Sequence, residues 1–233
     1  MSMDAAQAQM PDFDLDHDND HTALMDRMYH GQRHIYDATR KYYLFGRDRL
    51  IRELRVHAGA SVLEIGCGTG RNLDQIAKHW PGATLMGLDI SQEMLKSAQA
   101  RLGADAMLRQ GDATDFDARA LFGQPQFERI VLSFCLSMIP DWQATLAHAM
   151  ELIAPGGSLH IVDFGDMQHL PGFARKALRG WLTRFHVTPR IHLSSLCAEL
   201  AQRKGMVCHR RIGPCSYYEL VVLSTEKPQS RLQ

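Results

Sequence analysis

Several things are scarce in this chain, and each scarcity excludes something. Five cysteines, Cys67, Cys135, Cys197, Cys208 and Cys215, are spread over 233 residues without a CxxC pair. That argues against a zinc framework or a disulfide scaffold and fits a reduced, cytosolic setting. No apolar run reaches the roughly 20 residues a bilayer span needs. The longest, Ile130 to Ile139, is broken by Ser133 and Ser137. No basic segment followed by an apolar stretch opens the chain, so no signal peptide is expected. Net charge is absent too: Lys+Arg and Asp+Glu are both 26. A bulk electrostatic grip on nucleic acid is therefore not expected. What remains, 45% apolar and 22% charged residues, excludes a disordered, collagen-like or coiled-coil chain. The length suits one large domain with small appendages.

The zero charge is a sum of unlike parts. Residues 1–20 carry six Asp and no Lys or Arg, so the rest of the chain is +6. A segment so polar cannot offset its ordering entropy, and residues 1–21 read as a mobile acidic arm. His17 and His21 stand among those carboxylates, but a solvated tail accounts for them and no metal is expected. The excess of cations collects in two places. One is Arg40 to Arg55. The other is Pro171 to Arg190, with Arg175, Lys176, Arg179, Arg184 and Arg190 and no acid. On a helical wheel Phe173, Ala177, Leu178, Trp181, Leu182 and Phe185 share a half-turn opposite Arg175, Lys176 and Arg179. Such a helix either packs its apolar stripe on the core or lies in an anionic membrane surface.

From residue 60 strand-like and helix-like segments alternate. Strands are expected at Ser61–Ile65, Thr84–Ile90, Ala106–Gln110, Phe127–Ser133 and Ser158–Phe164. Helices are expected at Gly70 to His79, after the cap Ser91 to Gly103, after the cap Asp141 to Ile153, and at Leu193 to Lys204. Met206–Ile212 and Tyr217–Ser224, joined by Gly213-Pro214, read as a closing β-hairpin. The pattern predicts an α/β domain over 57–226, an open and mostly parallel sheet with helices on both faces. Residues 22–56 form a helical lid and 227–233 a tail. Ligands of such sheets bind beyond the carboxyl ends of the strands, where strand order reverses.

The sharpest motif runs from Val62 through Glu64, Gly66, Gly68 and Gly70 to Asn72, a strand running into GxGxG and then a helix. Glycines there let the backbone turn tightly and approach a ligand. Asp89 ends the second strand, where a carboxylate can accept two hydrogen bonds from a ribose diol. Asp112-Ala113 follows the third, where a carboxylate beside a free N–H can read an adenine edge. A turn or a helix start also accounts for Asp89 or Asp112 singly; three such features at successive strand ends point to a nucleoside. A dinucleotide fingerprint needs a glycine where Arg71 stands, so a dehydrogenase is disfavoured.

LEIGCGTG, GLDIS, GDATDF, RIVLSFCLSMIP and LIAPGGSLHIVDF together resemble the class I S-adenosylmethionine-dependent methyltransferases. The resemblance implies a Rossmann-like, seven-stranded sheet with the last strand antiparallel, and S-adenosyl-L-methionine as cofactor. It implies that Glu64 and the Gly66–Gly70 loop hold the methionine end, Asp89 the ribose, and Asp112 and Ala113 the adenine, with Ile90 a further cofactor-binding candidate. Ser133 and Phe134 would flank the reacting centre. Arg47 is a candidate for the methionine carboxylate, though an ordinary surface arginine also accounts for it. Base methylation is disfavoured, because no Asn/Asp-Pro-Pro-Tyr/Phe follows strand four.

The flanks carry a second resemblance. MDRMY, then QRHIYDATRKYYLFGRD, LSFCLSMIPDW and FHVTPR are similar to the bacterial lipid N-methyltransferases, most of all those that trimethylate diacylglyceryl-homoserine to the betaine lipid. This implies a membrane-peripheral enzyme acting on a lipid headgroup amine, with 171–190 on an anionic membrane. Phosphatidylethanolamine is an alternative acceptor. So is a small molecule, and so is a scaffold role without turnover. Tyr36, His186 and Asp163 are candidate acceptor-side residues, with Tyr42, Tyr43, Tyr217 and Tyr218 around the mouth. His186 and Arg190 could hold a headgroup anion, and His34 is another proton-relay candidate.

Overall fold

The computed structural model describes residues 44–185 and 187–225. The acidic arm, lead-in residues 22–43, His186 and the tail lie outside them, and with them Tyr36, His34, Tyr42 and Tyr43.

Seven strands form one sheet in the order β3-β2-β1-β4-β5-β7-β6. They are β1 Ser61–Ile65, β2 Thr84–Asp89, β3 Ala106–Gln110, β4 Phe127–Ser133, β5 Ile153–Phe164, β6 Val207–Ile212 and β7 Tyr218–Ser224. β1 to β5 pair in parallel. β7 is antiparallel to both its neighbours, β5 and β6. The expected Rossmann-like sheet and its terminal hairpin are therefore present. The chain steps outward from β1 to β3, then restarts at β4 on the other side of β1. That places the reversal of strand order between the ends of β1 and β4.

The helices are α1 Arg47–Glu53, α2 Arg71–His79, α3 Gln92–Leu102, α4 Ala118–Phe122, α5 Trp142–Glu151, α6 Gly172–Thr183 and α7 Leu193–Arg203. Their starts follow local chemistry. Ser91 Oγ accepts the Met94 N–H at α3, Asp117 accepts from Arg119 and Ala120 at α4, and Asp141 accepts from Ala144 at α5. Each such cap is worth about 0.5–2 kcal/mol.

Alternation along the central strands feeds two cores. Val62, Val131, Val162, Phe164 and Leu220 face α1, α2 and α6 through Leu50, Ile51, Leu54, Leu73, Ile76 and Leu182. Leu63, Ile65, Ile130, Leu132, Leu159, Ile161 and Val221 face α4, α5 and α7 through Phe122, Trp142, Leu146, Leu193 and Cys197. Each large aliphatic side chain so buried contributes about 1.5–3 kcal/mol.

Three expectations shift. Residues 47–53, read as part of a lid, lie along one sheet face instead. At one end Gly46 abuts the Tyr218 ring near the mouth. At the other, Arg129 Nε and Nη2 donate to the carbonyls of Leu54 and Arg55 at 2.7 and 3.0 Å. The apolar run Leu50-Ile51 and Leu54 drives this, since it needs a core to bury. The fifth strand begins at Ile153 rather than Ser158. Phe127 pairs with Ile153 and Arg129 with Ser158, so Pro155-Gly156-Gly157 bulges within the strand rather than preceding it. In α6, Leu182 is buried and Leu178 and Trp181 pack on the core, as does Phe185 just beyond the helix, but Phe173 stays 82% exposed. The first turn of α6 projects beyond the layer that covers its last.

Candidate functional site

Three loops meet at the strand-order reversal. The glycine loop leaves β1 with the N–H groups of Gly66 and Cys67 both donating to Leu88 O, at 2.8 and 2.9 Å. Two of its glycines show why side chains are excluded. Gly66 has φ 71°, and a Cβ on it would lie 2.7 Å from Cys135 Cβ, across the reversal. Gly68 has φ 54°, and a Cβ there would meet nothing within 4 Å, so its outer side is open to a ligand.

Asp89 organises that loop. Its Oδ2 accepts from Gly68 N–H at 2.7 Å and its Oδ1 from Ser91 N–H at 3.0 Å. An ionised carboxylate has about four acceptor positions. Ile90 follows, half-buried, its carbonyl accepting from Gln110 at 2.9 Å. Asp112 closes a tight turn by accepting Thr114 N–H and Oγ1–H at 2.7 and 2.6 Å, both through Oδ1. Ala113 sits half-buried beside it.

Glu64 is the electrostatic anomaly. It is buried on β1, and Oε1 accepts from Asn72 Nδ2 at 2.7 Å. Its other oxygen, Oε2, and Asn72 Oδ1 are buried acceptors with no donor. Burial pushes the Glu64 carboxyl up to about 8, with Asn72 and the positive field of Arg47 and Arg71 pulling the other way. Ionising a buried carboxyl with one oxygen left without a donor costs free energy that a bound cation would recover. Arg47 is itself buried, its Nε donating to Leu44 O at 3.2 Å. Asn72 and Arg71 lie inside the glycine motif, yet the sequence reading gave them no role. The signal available was their position on the first turn of α2, immediately after the loop.

On the far side of the reversal, Ser133 ends β4 with a buried Oγ that has no partner. Phe134 follows at φ 54°, unusual for a residue with a side chain, and its N–H donates to Val162 O at 2.7 Å. Aromatic rings continue outward. Phe134 meets Phe164 at 4.8 Å between centroids, Phe164 meets Tyr217 at 5.9 Å, and Tyr217 meets the exposed Phe45 at 5.5 Å. Tyr218 turns away, packed beneath Gly46 and Gly213. Asp163 is fully buried. Its Oδ2 accepts from Ser137 N–H at 3.0 Å and its Oδ1 from Phe164 N–H at 2.7 Å. Burial raises its carboxyl to about 6. Arg190, expected to grip a headgroup anion, instead donates to the carbonyls of Leu136 and Ile139.

Comparison with known proteins agrees with this geometry. The family model for the methyltransferase domain matches residues 63–159. The demethylmenaquinone methyltransferase of Tropheryma whipplei is 31% identical over 174 residues, covering 70% of this chain and 69% of that protein. Trans-aconitate 2-methyltransferase of Deinococcus radiodurans is 33% identical over 102 residues, 44% of this chain and 37% of that one. The plantazolicin methyltransferase BpumL, solved with SAH, superposes at TM-score 0.68 and 16% identity over 91% of this chain and 98% of its own. The open glycine loop and the unanswered acceptors on Glu64 and Asn72 fit the ammonium on the amino-acid end of S-adenosylmethionine, the cofactor of those enzymes. By sequence, fold and site together, the chain belongs to the class I S-adenosylmethionine-dependent methyltransferases.

Proposed function

We propose that this methyltransferase transfers methyl groups to the amine headgroup of a membrane lipid, with diacylglyceryl-homoserine as first candidate and phosphatidylethanolamine as second. The observation that carries the reading is the aromatic run Phe134, Phe164, Tyr217, Phe45 leading away from the end of β4. An amine that gains methyl groups ends as a permanent cation, and aromatic faces stabilise such a cation by about 0.5–2 kcal/mol. α6 supports a bilayer location for the acceptor. It carries Arg175, Lys176 and Arg179 with Arg184 behind them, and it leads with an exposed Phe173. Among the described residues no helix is long and apolar enough to cross a membrane, so the contact proposed is peripheral, from the cytosolic side.

S-adenosylmethionine supplies an electrophilic methyl on a sulfonium. The chain's own residues supply placement, which is where most of the rate in such a displacement comes from. Asp89 takes the ribose diol, Asp112 and Ala113 the adenine, and Glu64 the ammonium of the methionine end. Arg47, close enough to depress the Glu64 carboxyl, takes the carboxylate. Ser133 and Phe134 border the reacting centre. The incoming amine must be neutral, so a proton leaves with each of the first two transfers; Tyr36 and His186 are the groups we assign to the acceptor side. Asp163, held by two backbone N–H groups, acts through the loop it fixes.

A second reading, methylation of a carbon on a quinone lipid, is favoured by the similarity to demethylmenaquinone methyltransferase over 174 residues. Both readings are tested by labelled methyl transfer from S-adenosylmethionine to vesicles carrying, in turn, diacylglyceryl-homoserine, phosphatidylethanolamine and demethylmenaquinone. Label in a lipid amine with vesicle-dependent turnover supports the first reading. Label in the quinone alone replaces it with the second, and label in none of the three sinks both.

A further inference from the structure

The loop that follows β4 carries the floor of the acceptor side, and its backbone is gripped from two directions. From inside the sheet, Asp163 Oδ2 accepts the Ser137 N–H at 3.0 Å. From outside, the segment after α6 takes three consecutive handholds. Thr188 N–H donates to Ser137 O at 2.8 Å. Arg190 Nε donates to Leu136 O at 3.0 Å and its Nη2 to Ile139 O at 2.7 Å. The same guanidinium lies 5.9 Å from the centroid of the Trp142 ring, at the first turn of α5. Within the loop, the N–H groups of Met138 and Ile139 both turn back onto Cys135 O. Leu136 and Ser137 are buried.

The loop stands between this grip and the methyl donor site. Cys135 is the residue that a side chain on Gly66 would strike, and Phe134 is the buried, left-handed residue that begins the aromatic run. A small displacement of Leu136 or Ile139 must be absorbed by those neighbours, because a packed interior transmits strain. Two parallel guanidinium bonds to two carbonyls fix direction as well as distance. An ammonium, a point donor on a flexible stem, would not.

We propose that Arg190 is a positioning residue for methyl transfer: its fork on Leu136 O and Ile139 O sets where the end of β4 presents Ser133 and Phe134 to the reacting centre. It does so without touching cofactor or acceptor. The inference rests on the methyltransferase assignment, and on the lipid-amine reading only for the choice of substrate.

The test compares Arg190→Met and Arg190→Lys with the parent enzyme in four measurements: turnover on the vesicle substrate the parent uses, SAH affinity by calorimetry, thermal midpoint, and hydrogen exchange of residues 135–139. The methionine variant is expected to keep SAH affinity within about twofold, since the glycine loop and Asp89 are unaltered. Its kcat is expected to fall about 30-fold, as misplacement at the ångström scale costs up to about 100-fold. Exchange at Met138 and Ile139 should quicken at least about tenfold. Lysine, able to reach one carbonyl, should recover part of both losses. Unchanged kcat and exchange in the methionine variant overturn the proposal. So does a loss of kcat that follows SAH affinity and thermal midpoint downward and is not recovered by lysine, because that is the signature of a purely structural arginine. If the parent methylates none of the vesicles, the acceptor reading has failed, and exchange of residues 135–139 alone decides whether Arg190 holds the loop.

Discussion

The sheet divides at the line between β1 and β4, and its two halves hold their carboxyl ends by different means. Beyond β1, β2 and β3, the loops are fixed by neighbours close in sequence or by the next strand along. Gly66 and Cys67 bond to Leu88, Gly68 to Asp89, and Ser91 to Asp89 as well. Beyond β4 and β5, and at the β6–β7 turn beside them, the ties come from far away. Arg190 reaches Leu136 across 54 residues of chain, and His169 Nδ1 meets Ser216 Oγ across 47. The two ligands are accordingly held in different ways. A cofactor common to many enzymes sits in a locally encoded cradle, whereas the acceptor side is assembled from remote segments that can vary independently.

That contrast can be tested in descending order of effect. Asp89→Ala removes the carboxylate that accepts from Gly68 and Ser91, and with it the expected ribose contact. Calorimetric SAH affinity should fall by about 100-fold or more, as two charge-assisted hydrogen bonds at about 1.5 kcal/mol or more each imply. Retained affinity would break the assignment of the first half. Gly66→Ala strikes a place where the loops of the two halves touch, forcing a side chain to within 2.7 Å of Cys135 at φ 71°. Both thermal midpoint and SAH affinity should drop. A loss confined to acceptor turnover would mean that the boundary lies elsewhere.

Glu64→Gln should separate stability from binding. The carboxyl titrates near 8 in the folded chain against an ordinary 4.5. The stability that its protonated form contributes is therefore complete below about pH 4.5 and is lost as pH rises through 8. The glutamine variant escapes that loss. Its thermal midpoint should exceed the parent's by about 5 °C at pH 8.5 and match it near pH 4, while SAH binding weakens. In the parent, binding at pH 7 should release close to one proton, read by calorimetry in buffers of different ionisation heat. The smallest effect is expected from Arg175→Glu, Lys176→Glu and Arg179→Glu combined. Binding to anionic vesicles should fall while SAH affinity holds; unchanged vesicle binding would remove α6 as the contact.

The same asymmetry governs what the sequence reveals. Strand boundaries, the Ser91 and Asp141 caps and the nucleoside signature are legible because each is written within one strand–turn–helix unit. α4 escapes notice because five residues carry too little periodicity to register. Pro155-Gly156-Gly157 reads as a stop, yet the β4 partner holds the strand on both sides of the bulge. The wheel of α6 gives the direction of its stripe but not where the covering layer ends, so Phe173 is misplaced. Arg190 is illegible in its actual position because its partners are carbonyl groups, which carry no residue signature.

The seating of β7 between β5 and β6 has a consequence for biosynthesis. During translation β1 to β5 can pair as they emerge, but the free edge of β5 stays uncovered until residues 218–224 have left the ribosome. Over that interval Leu159, Ile161 and Asp163 present unpaired backbone beside an apolar face, a template that other nascent chains can join. The cofactor cradle is complete well before this, so early capture of S-adenosylmethionine could steady the half-made sheet while its centre waits to be closed.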